Sequence, residues 1–140
     1  MRVKTQLRQI KTILDEIEAK HDHVRQLEEM ASRITAQYGK ERVQSSNGTT
    51  MADAVAKMAD LKSEIAHEIQ ALCEAKMRAM AMIAMVDNGR LRSLLTKRYL
   101  TCMTWEQIAV DFDITYQWVH VLHSRALAEI EKKLTAVDSN

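Results

Sequence analysis

The sequence predicts an all-α protein: a long helical hairpin or coiled-coil stalk followed by a three-helix module with a helix-turn-helix at its end. Three observations predict it. Proline is absent and glycine occurs only 3 times in 140 residues, so little interrupts a helix. Apolar residues recur at three- and four-residue spacing over long stretches before residue 89. The segment Thr104–His123 then carries the apolar pattern of two short helices crossing at a steep angle.

The first helix is expected over residues 2–38. Val3, Leu7, Ile10, Leu14, Ile17, His21, Val24, Ala31 and Tyr38 keep an alternating four-three spacing, widened by Leu27 and Ile34, and such a stripe requires a partner helix. His21 and Glu28 fall in this seam, where a polar residue sets register at a cost in stability. Gly39 is a candidate C-cap, and Arg42 to Thr50 (RVQSSNGTT) reads as a polar flexible connector, spanning about residues 40–50. Thr50 with Asp53 can start the second helix. Val55, Met58, Leu61, Ile65, Ile69, Leu72, Ala79, Ile83 and Val86 line one of its faces, and Asn88-Gly89 ends it. Residues 1–89 are therefore expected to form an oligomerisation region, a dimer being favoured, and residues 90–136 a DNA-binding module. Met77, Met80, Met82 and Met85 are expected to be pliable core packing rather than a partner groove.

After Gly89 a helix from Arg90 to Leu100 should bury Leu91, Leu94, Leu95 and Tyr99 and turn Arg92, Lys97 and Arg98 toward solvent. Thr104 with Gln107 three residues later forms a capping box, so the next helix starts at Trp105 with backbone amides able to hold a phosphate. Ile108, Phe112, Ile114, Val119 and Leu122 should be buried, with Ala109 at the close approach of the two helices. Asp113 stands at the turn as a residue that tolerates a left-handed backbone. Thr115 caps the recognition helix, which should run to about Leu134.

At these residues the chain acquires a resemblance. Residues 94–134 (LLTKRYLTCMTWEQIAVDFDITYQWVHVLHSRALAEIEKKL) resemble region 4 of sigma-70-type transcription factors, the part that reads the −35 promoter element. The whole chain is similar to a group of small phage and prophage proteins of unassigned function, through residues 51–61 (MADAVAKMADL), Arg98-Tyr99, residues 104–109 (TWEQIA) and residues 123–127 (HSRAL). These in turn resemble phage late-gene transcription regulators. The resemblance implies a DNA-facing arc of Tyr116, Gln117, His120, Val121, Ser124 and Arg125, with Trp118 at its edge. Where sigma region 4 commonly has charged residues, this chain has Tyr116, Trp118, His120 and Val121, which implies a target other than the −35 consensus. Gln117 can pair with adenine, Arg125 can reach a phosphate or guanine, and Tyr116 or Val121 can cover a thymine methyl. Thr104, Trp105, Lys97 and Arg98 complete the expected DNA-binding set.

Composition limits the function further. Net charge is +1, and residues 90–140 hold seven Lys or Arg against six Asp or Glu, so a lone module has few phosphate contacts and needs a dimer or a protein partner. Residues 1–89 contain a single aromatic, Tyr38, so the promoter-melting region of a complete sigma factor is missing. The expected partners are duplex DNA, a second copy of the chain, and host RNA polymerase. One alternative is an adaptor that docks on the polymerase with little DNA contact. Another is a DNA-packaging factor of small-terminase type, against which the C-terminal position of the helix-turn-helix counts. No nucleophile-base pair, glycine-rich phosphate loop or paired carboxylates suggest an enzyme, and no cofactor or metal is expected. Cys73 and Cys102 read as buried or idle thiols of a reducing compartment. No transmembrane run or secretion signal directs the chain out of the cytoplasm.

Overall fold

The computed structural model describes residues 2–38 and 45–139, and all regular structure among them is helical. The helices are α1 (Arg2–Tyr38), α2 (Ser45–Ala84), α3 (Gly89–Leu95), α4 (Trp105–Phe112) and α5 (Tyr116–Asp138). A π turn over Thr96–Leu100 follows α3 directly. Among the described residues no helix is long and apolar enough to cross a membrane. The chain divides into two compact units. One comprises residues 13–71; the other joins residues up to 12 to those from 72 onward.

In the unit of residues 13–71, α1 and α2 run antiparallel. Lys20 pairs with Glu68 and, at 3.5 Å, with Glu64, while Glu28 pairs with Lys62 further along α1. Ile17, Val24, Ala54, Leu61 and Ile65 are buried between them. His21 and Glu28 are both exposed, contrary to the seam expected for them, and half-buried Lys20 takes the polar place instead. Ile17 and Val24, seven residues apart, hold the inward position of α1 here, and His21 lies outside the stripe they define. On α2 Val55 and Ile69 are exposed, and Ala54 is buried. The expected connector is shorter than residues 40–50, because α2 begins at Ser45 rather than Thr50. Gly39 to Gln44, with the expected Gly39 cap, lie outside the described residues.

The second unit has a continuous core that reaches beyond residues 90–136. Val3, Leu7 and Ile10 of α1, Val86, Leu94, Leu95, Ile108, Val119 and Ile130 are fully buried, each such aliphatic side chain contributing roughly 1.5–3 kcal/mol. Polar contacts tie the same parts together. The Val3 amide donates to Glu131 at 2.8 Å and the Asp87 amide to Glu129 at 2.9 Å. Lys133 reaches Asp87 at 3.0 Å and Glu129 at 3.1 Å. Asn88 does not simply end α2. Its side chain accepts from the Arg90 and Leu91 amides and so caps α3, while α2 stops at Ala84 in tight turns closed by the Met85 and Val86 amides. Of the methionine cluster, Met82 is buried and Met85 half-buried, but Met77 and Met80 are 65% and 52% exposed, so they are not core packing. Cys73 is exposed and Cys102 half-buried.

Candidate nucleic-acid interface

The two-helix element is built by short-range rules that the sequence contains. Thr104 accepts from the Gln107 amide at 3.2 Å and Gln107 returns the bond to the Thr104 amide at 2.9 Å, closing the capping box. This consumes two of the donors at the start of α4, and Glu106 adds a negative charge there, so the helix start is a poorer phosphate site than expected. At the other end Asp113 takes the left-handed conformation, φ 53° and ψ 49°. The Asp113 amide donates to the Val110 carbonyl and that of Ile114 to the Ala109 carbonyl, both at 3.1 Å, which satisfies the last carbonyls and reverses the chain. Thr115 then caps α5 by accepting from the Trp118 amide at 3.1 Å. α5, expected to be a recognition helix, extends to Asp138, four residues past the expected end.

Val119, Leu122, Ala126, Leu127 and Ile130 hold α5 against the core together with Ile108. Ile114 and Phe112 are only half-buried. Phe112 closes the edge of the module, with Arg90 5.2 Å over its ring and donating to its carbonyl. On the outward arc, Gln117, Ser124 and Arg125 are exposed, and Tyr116, Trp118 and Val121 are 43%, 42% and 39% exposed. The Arg125 guanidinium lies 5.2 Å over Trp118, so its reach is set by that ring. His120 is half-buried between Trp105 at 4.8 Å and Tyr116 at 4.6 Å, and it belongs to an aromatic stack more than to a free surface.

The basic residues before α4 are committed to structure. Arg92 donates to the Val86 and Asp87 carbonyls, each at 2.7 Å, and Lys97 pairs with Asp111 at 2.9 Å. Arg98 donates to the Met103 carbonyl at 3.0 Å and lies 4.1 Å over Trp105. All three are half-buried rather than turned freely to solvent. For Lys97 and Arg98 the π turn is responsible: the Thr101 amide reaches back to the Thr96 carbonyl and the Met103 amide to that of Lys97, widening the helix and turning these two side chains along α4, whereas Arg92 lies in α3 and reaches back to the carbonyls after α2.

One residue of the site escaped the sequence reading. His123 is buried, with its Nε2 2.6 Å from the Tyr99 hydroxyl and its ring 4.7 Å from Trp105. Burial lowers its pKa to about 4, helped by the positive charges of Lys4, His120, Arg98 and Arg8. Burial likewise raises the Tyr99 hydroxyl, against the opposing pull of Arg98 and Arg8. The signal was present: residue 123 falls on the same face as 119, 122, 126, 127 and 130, where a histidine must find a partner. Among the described residues no group of three His, Cys, Asp or Glu side chains is placed to hold a metal ion. Compared with protein-family models, curated proteins and solved structures, the chain matches none of them.

Proposed function

We propose that the chain is a sequence-specific DNA-binding transcription regulator of the phage or prophage kind, working in the bacterial or infected-cell cytoplasm as a homo-oligomer. The observation that carries the reading is the double-capped element itself. Two helices meet at a left-handed Asp113, and the second presents Tyr116, Gln117, Val121 and Ser124 outward from its first three turns. A helix held by its inner face and offering an amide, a hydroxyl and apolar caps on its outer face suits the floor of a major groove.

Self-association follows from the charge balance, which leaves one module few free cations. The exposed face of α2 supplies a surface for it: Cys73, Met77, Met80 and Ala84 follow one another at four-three-four spacing, all exposed. Linking two modules turns the second contact into an intramolecular one, which raises avidity without new contacts.

The test is fluorescence anisotropy of the full-length protein on duplexes selected from genomic fragments and on scrambled versions, at two salt concentrations. The expected result is preference for the selected duplex, with binding that falls steeply as salt rises. Negligible, salt-insensitive binding to both would reject the reading. It would favour the second reading, a polymerase-docking adaptor, for which the apolar exposure of Tyr116, Trp118 and Val121 is the supporting observation.

A further inference from the structure

The outward side of α5 is ordered in rows. Gln117, Val121, Ser124 and Ala128 follow one another at four-three-four spacing and are all exposed, so they form one line along three turns of the helix. Tyr116 and His120 stand on one flank of that line, and Trp118 and Arg125 on the other. Small side chains therefore occupy the crest and large ones its edges. No Asp or Glu occurs from Tyr116 to Ala128, which suits a groove walled by phosphates.

The flanks are held by contacts within the protein. The Tyr116 ring meets that of His120 edge to face at 4.6 Å, His120 meets Trp105 at 4.8 Å, and the Arg98 guanidinium lies 4.1 Å over Trp105. On the opposite flank Arg125 lies 5.2 Å over Trp118. Val121 stands on the crest itself, 39% exposed, one turn after Gln117 and one turn before Ser124 and Arg125. Of the two residues able to cover a thymine methyl, Tyr116 and Val121, only Val121 is thus placed to meet the floor of a groove.

The structure assigns to Val121 the contact with a pyrimidine 5-methyl group in the major groove, next to an adenine read by Gln117. This rests on the DNA-reading proposal above and names its ligand chemistry, an A·T-containing site in which a thymine methyl is covered by the Val121 isopropyl group. A methyl is read without a hydrogen bond, which fits a crest whose only hydrogen-bonding side chains are one amide and one hydroxyl. Cytosine methylated at C5 carries the same group at the same ring atom. The contact therefore makes binding responsive to cytosine C5 methylation wherever a cytosine takes the place of that thymine.

The experiment uses the full-length protein and fluorescence anisotropy on a selected duplex. Thymines are replaced one at a time by uracil, which removes the methyl and nothing else, for wild type and for Val121→Ala. The expected result is one position at which uracil weakens wild-type binding about fourfold, the worth of one buried methyl. At that position Val121→Ala should bind thymine and uracil alike. In the wild type, 5-methylcytosine placed there should bind about fourfold more tightly than cytosine, and the variant should not separate them. Uracil tolerated at every position, or a uracil penalty that persists in full in Val121→Ala, would overturn the methyl contact and leave the DNA reading standing. Failure of the wild type to bind any duplex would overturn both.

Discussion

The Tyr99 hydroxyl and the His123 Nε2 lie 2.6 Å apart within the core, and they join the π turn to α5 by a polar contact. The neutral ring is the form this environment accepts. With its pKa lowered to about 4 in the folded protein against an ordinary 6.5, His123 refuses a proton that the unfolded chain takes up between those values. Stability should therefore be unaffected above about pH 6.5, fall as pH drops from there toward 4, and level off below, the loss reaching up to about 3 kcal/mol. Urea titrations at pH 7, 5.5 and 4 check this. His123→Gln, which keeps a hydrogen-bonding group, should flatten the dependence, and an equally steep dependence in that variant would refute the assignment.

Asp113 holds a left-handed backbone that glycine adopts without cost. Asp113→Gly should be neutral or stabilise by up to about 1 kcal/mol, whereas Asp113→Val should destabilise by about 1–2 kcal/mol. Thermal melts of the two variants are expected to move in opposite directions or to separate clearly.

In the hairpin, Lys20 neutralises Glu68, whose second carboxylate oxygen is buried without a partner. Removing the lysine alone leaves that carboxylate uncompensated. Lys20→Met should lower the melting temperature, and adding Glu68→Leu should restore it. His21→Leu, by contrast, should change little, because His21 faces solvent.

Gln117→Ala should cost about 1–3 kcal/mol on a selected duplex and relax preference at one base position. Arg98→Ala should behave differently from a simple phosphate contact. It releases Trp105 and the Met103 carbonyl, so its weaker DNA binding should come with a lower melting temperature, by roughly 1 kcal/mol of stability. A binding loss with an unchanged melting curve would mean that the stacking on Trp105 contributes nothing.

Self-association through the exposed face of α2 should show in sedimentation equilibrium at tens of micromolar, about the range in which weak association registers. Met77→Glu together with Met80→Glu is expected to give a monomer with unchanged helicity. Wild type that is already monomeric at that concentration would remove this surface from consideration.

The parts of the site that were legible in the sequence are those governed by neighbours along the chain. The capping box of Thr104 and Gln107, the left-handed Asp113 and the Thr115 cap each depend on residues within four positions. The buried face of α5 follows from spacing alone. Lys97 and Arg98 depart from expectation because they sit on the π turn, which no spacing rule signals, Arg92 because it reaches the Val86 and Asp87 carbonyls, and Phe112 because it closes an edge of the module under Arg90.

What the sequence alone determined is the all-helical class, since the near-absence of helix breakers and the apolar periodicity leave no other economical way to bury these side chains. Helix ends were determined as well wherever a cap is a local hydrogen bond. Only the tertiary structure decided which phase of each long stripe turns inward: Lys20 instead of His21, Ala54 instead of Val55, Met82 instead of Met77. It alone also brought Arg8 beside Arg98, and Tyr99 to His123. The physical reason is that an apolar stripe several residues wide allows more than one inward phase, so the partner surface selects the inward side chains and the charges that gather at its edge.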